Sequence, residues 1–179
     1  MEEKRMQVST PPVAEGTPIK MMLGDICEEF AETCRDAFHS MFQTEPAIEG
    51  EWSVVPKMDG RFEYIFYVAS GNAYFRTIMR IGISISSIEQ MVGFPLDLAE
   101  AKDAFGEFAN VLCAVVQDNP RFVETVGFLK QEPPEDAVHQ AFFPKGFAIQ
   151  GRLAVGSSWL SIGYAIFENL LTMDGDSVG

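Results

Sequence analysis

Apolar residues recur at helical spacing in two long stretches of the chain. The first stretch predicts a helix that begins at about Ile19 or Asp25 and ends at Phe42. The second stretch opens at Asp97 and ends at Asp118-Asn119-Pro120, where proline cannot continue a helix. We expect each helix to bury one apolar stripe, and in the first helix that stripe contains Phe30, Cys34, Phe38 and Met41.

Alternating apolar and polar residues predict strands between and after the two long helices. Asp59-Gly60 is a tight-turn signal between two such runs, and Gly156-Ser157-Ser158 is another. The pattern therefore predicts two hairpins, Trp52–Met58 with Arg61–Ala69 and Phe147–Val155 with Trp159–Phe167. A further long strand is predicted at Tyr74–Ile85, and it is apolar enough to serve as a pairing edge between two copies of the chain.

Two short helices and one loop complete the predicted layout. Ser86 or Ser87 caps a helix at Ile88–Val92, Arg121–Leu129 forms another, and residues 131–146 form a loop. Together these elements predict an α+β fold in which long helices pack on a mainly antiparallel sheet. We assign residues 1–18 to a flexible N-terminal tail, residues 19–171 to a single domain, and residues 172–179 to a C-terminal tail.

The charge of the chain restricts its partners. There are 13 Lys and Arg residues against 26 Asp and Glu residues, so the formal net charge is −13. A surface this acidic repels phosphate backbones and anionic lipids, so we expect no nucleic-acid or membrane partner. No apolar run reaches the roughly 18–20 residues of a bilayer span, and the N-terminus lacks a secretory signal, which favours a cytoplasmic protein. The three cysteines have no CxxC spacing, so we expect buried thiols and no metal site.

The second long helix carries the candidate chemistry. At 100° per residue, one line along this helix contains, to within about 40°, Asp103, Glu107, Asn110 and Ala114. The roughly opposite side contains Phe105, Phe108, Leu112 and Val115. We expect the apolar side to anchor the helix and the polar line to face outward. A carboxylate there can bind a cation, and a carboxamide can hold a water molecule through both its donor and its acceptor.

The chain also shows signs of an internal duplication. The spacing of the polar line is repeated in the first helix by Asp25, Glu29, Glu32 and Asp36. The tripeptides Glu29-Phe30-Ala31 and Glu107-Phe108-Ala109 are identical, although any amphipathic helix repeats polar residues at such intervals. In the first helix Glu32 stands where the second helix has Asn110.

The spacing of Asp103, Glu107 and Asn110 resembles the signature Asp/Ser-x-x-x-Glu-x-x-Asn of the CheC/CheX/FliY phosphatases, which dephosphorylate the chemotaxis response regulator CheY. The stretches RTIMRIGISIS and SSIEQMVGFP before this helix and FPKGFAIQG after it are also similar to that family. The likeness covers roughly residues 20–168. A single site, with Glu32 replacing the asparagine of a second one, resembles the CheX type.

This resemblance implies a phosphatase that acts on the aspartyl phosphate of a CheY-like receiver. It assigns Asn110 to positioning the attacking water and Glu107 to contacting a lysine of the receiver, while Asp103, Gly106 and Ala114 form part of the partner-binding surface. It implies a homodimer with no cofactor of its own, because the receiver supplies Mg²⁺. The residues leave open a non-catalytic module that docks a phosphorylated receiver or a flagellar-switch component. They also leave open a merely solvated helix face.

Overall fold

A computed structural model of the protein describes residues 17–169. The helices are α1 (Thr17–Phe42), α2 (Ile85–Val92), α3 (Leu98–Gln117) and α4 (Pro120–Val126). The strands are β1 (Ala47–Val55), β2 (Tyr64–Gly71), β3 (Phe75–Ile83), β4 (Lys130–Gln131), β5 (Glu135–Val138), β6 (Ala148–Val155) and β7 (Ser158–Glu168). Of the two predicted tails, only residues 17 and 18 are described, and both belong to α1. Within residues 17–169, no helix combines the length and the apolar character of a bilayer span.

All strands belong to one sheet, and every pairing in it is antiparallel. The order is β1-β6-β7-β3-β2-β4, and β5 also pairs with β2, along the same edge as β4. With β5 taken as the strand beside β2, the order is β1-β6-β7-β3-β2-β5. If β1 is exchanged with β5, β2 with β6 and β3 with β7, the same order results when the sheet is read from the opposite edge. The α+β fold with a mainly antiparallel sheet is therefore confirmed, and the symmetric strand order agrees with the predicted duplication.

The main core lies between one face of the sheet and helices α1 and α3. Phe105 and Phe108 of α3 are fully buried, and the Phe105 ring stacks on Phe66 of β2 with 5.3 Å between centroids. The prediction that Val115 faces this core is wrong, since its side chain is 42% exposed while Val116 is buried. At 100° per residue, Val116 lies roughly 30° from the direction opposite the polar line, whereas Val115 lies roughly 70° from it. The helix period therefore favours Val116 as the residue that faces the core.

The hairpin predicted at Asp59-Gly60 is also wrong. β1 pairs with β6 at one edge of the sheet, whereas β2 pairs with β3 near the other edge. The connecting residues form part of a second, smaller core, in which Met58 is 2% exposed, and the Gly60 carbonyl accepts a hydrogen bond from the Ala141 N–H. A turn signal is local, while the partner of β1 lies about a hundred residues away, so the signal did not identify the pairing.

Three smaller predictions also need correction. β3 lies between β7 and β2 in the middle of the sheet, so it offers no pairing edge to a second copy. The segment 131–146, predicted as a loop, contains β5 and the end of β4, because the free edge of β2 pairs with both. The cap of α2 is Ser84 rather than Ser86 or Ser87. The predicted homodimer stays a prediction.

A buried arginine lies beneath the smaller core. Arg80 is fully buried, and burial lowers the pKa of its guanidinium to about 10. Its Nη1 donates to the Ser161 hydroxyl at 3.1 Å, and its guanidinium carbon lies 4.7 Å from the centroid of the Phe62 ring. Its Nε and Nη2 have no hydrogen-bond partner among the described residues. The desolvation of this cation is offset only by that hydrogen bond, the Phe62 ring and the charge of Asp59, so removing the whole side-chain charge should cost little stability.

We therefore expect different outcomes for two substitutions at this pair. Ser161→Ala removes the one hydrogen bond and should lower the free energy of unfolding by about 1–3 kcal/mol. Arg80→Met removes the charge together with its desolvation cost, so stability should change by less than about 1 kcal/mol or increase. Urea denaturation of both variants measures the difference. An Arg80→Met variant less stable than Ser161→Ala would contradict this account.

Candidate functional site

The candidate residues lie in the middle of a helix with well-defined ends. Asp97 caps α3 by accepting a hydrogen bond from the Glu100 N–H at 2.8 Å, and the Glu100 carboxylate accepts from the Asp97 N–H at 3.0 Å. This reciprocal pair satisfies two backbone donors that the helix itself leaves unpaired. Because α3 is also anchored by its buried aromatic side, residues 103–114 lie on a rigid backbone.

The structure places the predicted residues along one side of α3, but not all of them are exposed. The side chains of Asp103, Glu107 and Ala114 are exposed, Asn110 is half-buried, and Gly106 is buried. Asp103, Gly106, Glu107 and Asn110 line one groove, whereas Ala114 lies one turn beyond Asn110 and does not line it. The polar line is therefore the rim of a groove rather than an open helix face.

The other side of this groove is formed by the edge of the sheet. The edge along β2 is interrupted between β4 and β5, and Pro134 in the interruption lies over Gly106. A Cβ atom added to Gly106 would stand 3.1 Å from the Pro134 Cβ, so a side chain there would push the two walls apart. The groove, called the α3 groove below, has a volume of about 260 Å³ and is lined by Lys102, Asp103, Gly106, Glu107, Asn110, Pro134 and Glu135.

The Asn110 carboxamide makes two side-chain hydrogen bonds in this groove. Its Oδ1 accepts from Gln131 Nε2 at 2.7 Å, and its Nδ2 donates to Glu107 Oε2 at 3.3 Å. The sequence predicted that Glu107 and Asn110 share one side of the helix, and the contact between them is consistent with their spacing of one turn. The shorter contact, to Gln131 at the end of β4, was not predicted, because no local pattern links residues 110 and 131.

Ion pairing leaves the α3 groove negatively charged. Lys102 Nζ lies 2.7 Å from Asp136 Oδ1, and this contact lowers the pKa of the Asp136 carboxyl. On the other face of the sheet, where its ring packs on the smaller core, Tyr67 donates to Glu135 at 2.6 Å, which raises the pKa of the Tyr67 hydroxyl to about 12. Since Lys102 is neutralised by Asp136, the carboxylates of Asp103 and Glu107 set the sign of the groove, and they favour a cationic partner group.

The corresponding position of α1 has a different environment. Glu32 forms an ion pair with Arg35 on its own helix at 2.6 Å, and Arg35 also contacts Asp36. A carboxylate held in this way offers neither the amide donor nor the neutral acceptor that a carboxamide has.

In the described part of the chain, no three His, Cys, Asp or Glu side chains are grouped to hold a metal ion.

Comparison with known proteins gives matches among solved structures alone. No protein-family model matches the chain, and no curated protein does. The chemotaxis protein CheX from Desulfovibrio desulfuricans superposes with a TM-score of 0.59 at 12% identity, covering 80% of this chain and 99% of that one. The CheX–CheY–BeF3–Mg²⁺ complex from Borrelia burgdorferi matches with a TM-score of 0.54 at 14% identity over 78% and 96% of the two chains.

The chain has the fold of the CheX chemotaxis proteins. The predicted resemblance is thereby confirmed at the level of the fold. The middle domain of FliM from Helicobacter pylori also matches, with a TM-score of 0.51 at 12% identity over 82% of this chain and 91% of that one. The CheX-like fold therefore occurs in proteins with different names, and identities this low leave the activity to be argued from the α3 groove.

Proposed function

We propose that this protein is a phosphatase for the aspartyl phosphate of a CheY-like receiver domain, with its active site in the α3 groove. One observation carries the proposal: on a rigid helix of a CheX-like fold, Glu107 and Asn110 lie one turn apart and face the same groove. The pair matches the Glu-x-x-Asn element of that phosphatase family. The CheX of Borrelia burgdorferi, which shares the fold, was crystallised with CheY, BeF3 and Mg²⁺.

The chemistry requires little more of the phosphatase than the placement of one water molecule. The water oxygen attacks phosphorus, the bond from phosphorus to the aspartate oxygen breaks, and inorganic phosphate and a free carboxylate result. Phosphoryl transfer has a loose transition state, so alignment of the nucleophile contributes much of the rate. The Mg²⁺ bound by the receiver neutralises the phosphoryl charge. The Asn110 oxygen has two lone pairs, of which Gln131 occupies one, so the other can accept a hydrogen bond from the attacking water.

Glu107 supplies the contact that orients the partner. Its carboxylate is exposed at the rim of a negatively charged groove, where the lysine of a receiver active site would form a charge-assisted hydrogen bond. A spacing of one helical turn lets this carboxylate and the Asn110 carboxamide enter the same cleft. Asp103 and Ala114 extend the contact surface along the exposed side of α3.

A second candidate function is a non-catalytic module that docks a receiver or a flagellar-switch component through the same helix. The match to the FliM middle domain favours it, since that protein has a similar fold. Both functions require the exposed side of α3 to bind a partner. They differ at Asn110, because hydrolysis depends on its carboxamide and docking does not.

The deciding experiment measures the lifetime of the phosphoryl group. Purified receivers from the same organism are phosphorylated with a radioactive label, and its loss is followed in the presence of Mg²⁺ with and without the full-length protein. We expect the protein to accelerate the loss for at least one receiver well beyond that receiver's own rate. If binding is observed but no receiver loses phosphate faster, the docking function replaces the enzymatic one.

A further inference from the structure

The shortest hydrogen bond to the candidate catalytic carboxamide comes from outside α3. Gln131 Nε2 donates to Asn110 Oδ1 at 2.7 Å, whereas the contact from Asn110 Nδ2 to Glu107 is longer, at 3.3 Å. A half-buried asparagine on a helix can turn its carboxamide over, which exchanges its oxygen and nitrogen. Glu107 can only accept, so the Asn110 nitrogen faces Glu107 and the oxygen faces β4, where the donor of Gln131 holds that oxygen in place.

Gln131 is itself held firmly by the sheet edge. It pairs with Ser70 of β2, and the next residue, Glu132, donates its N–H to the Ala69 carbonyl at 2.8 Å. Proline residues then follow at positions 133 and 134, and each fixes its own φ angle. Pro134 packs on Gly106 at the base of the groove. The backbone is therefore fixed on both sides of the Gln131 side chain.

Farther along the sheet edge, an ion pair links β5 to α3. Asp136 of β5 pairs with Lys102 of α3 at 2.7 Å and accepts a hydrogen bond from Tyr64 at 3.1 Å. The wall and the helix thus meet at three places: Lys102 with Asp136, Gly106 with Pro134, and Asn110 with Gln131. These contacts fix the separation between the sheet edge and α3, and therefore the distance between Gln131 and Asn110.

We propose that Gln131 is a positioning residue for the phosphatase reaction: it fixes the Asn110 carboxamide so that one lone pair of the oxygen points to the attacking water. The inference rests on the proposed function, and it adds a residue from the sheet edge to the pair on α3. Hydrogen bonds in series also polarise one another, so the donation from Gln131 makes Nδ2 a better donor toward Glu107.

Two substitutions test this role. Gln131→Leu keeps a similar size but removes the donor, and we expect kcat for receiver dephosphorylation to fall about tenfold, the effect of one neutral hydrogen bond. Gln131→Glu presents an acceptor to the Asn110 oxygen, which repels it, so the fall in kcat should be larger. Binding of the receiver loaded with BeF3 and Mg²⁺ should stay within about twofold of wild type for both variants, since Gln131 does not line the groove.

Gln140→Leu is the matched control, because Gln140 is exposed on the segment that follows β5 and should leave kcat unchanged. In an Asn110→Ala background, Gln131→Leu should cause no further loss, since the group that it positions is already absent. Unchanged kcat in Gln131→Leu, or an equal loss with and without Asn110, would overturn the positioning role while leaving the phosphatase function intact.

A measurement independent of activity separates the two proposals. The side-chain ¹⁵N–¹H signals of Asn110 are identified by their loss in Asn110→Ala, and Gln131→Leu should shift them and increase their mobility. If wild-type protein accelerates no receiver, the proposed function fails and the positioning role fails with it. The NMR signals then show whether the contact between the two side chains exists in solution.

Discussion

Replacing Asn110 with alanine should slow dephosphorylation of the receiver by about 10²-fold or more. The substitution removes the carboxamide that aligns the water, and losing alignment or one preorganised polar group costs about this much in phosphoryl and acyl transfer. The expected change is in kcat, with little change in affinity for a receiver loaded with BeF3 and Mg²⁺. Single-turnover loss of labelled phosphate measures the first quantity, and titration of the loaded receiver measures the second.

The duplication provides a matched control for this experiment. Glu32 occupies on α1 the position that Asn110 occupies on α3, and it is paired with Arg35 on the helix surface. Glu32→Ala should therefore leave kcat unchanged. Equal phosphate lifetimes with wild-type protein and with Asn110→Ala would exclude the water-positioning mechanism. If Asn110→Ala still bound the receiver in that case, the docking module would be supported.

Reversing the charge of Glu107 should weaken receiver binding by about 30-fold or more. Glu107→Lys replaces a charge-assisted hydrogen bond with repulsion between two cations, and loss of such a contact costs about 2–5 kcal/mol. The affinity is measured by titration of the receiver loaded with BeF3 and Mg²⁺. Added salt should reduce the difference in receiver affinity between the variant and wild type, because salt screens the repulsion between the two cations.

Glu124→Lys is the control for net charge. Glu124 is exposed on α4, outside the α3 groove, so its reversal changes the charge of the protein by the same amount without touching the site. We expect a weakening of no more than about threefold from the altered long-range field. If the two reversals weakened binding equally, Glu107 would contribute only to the general acidity of the surface.

The polar line of α3 was predictable because it depends on helix geometry alone. Residues four and three apart on a helix share a face, so the contact between Glu107 and Asn110 follows from their spacing. The buried partners Phe105, Phe108 and Leu112 follow from the same period. Val115 was assigned wrongly because the core side of the helix is only part of its circumference, and the neighbouring Val116 lies closer to its centre.

The second wall of the site could not be predicted in this way. Gln131 and Pro134 lie in a segment whose local sequence indicates only an irregular loop. Their contacts with Asn110 and Gly106 exist because β4 and β5 pair with the free edge of β2, which lies far earlier in the chain. Two prolines in sequence show that the segment is stiff, but they carry no information about what it packs against.

The sequence by itself determined the helices, most of the strands, the class of the fold and the pair Glu107 and Asn110, since these depend on the periods of helices and strands over short distances. Tertiary structure decided which strands pair, that β3 is central, and that Asn110 is a half-buried group held by Gln131. Strand pairing is chosen among distant segments by the total burial and hydrogen bonding that each arrangement gives. That choice is a property of the whole chain, so no window of the sequence contains it.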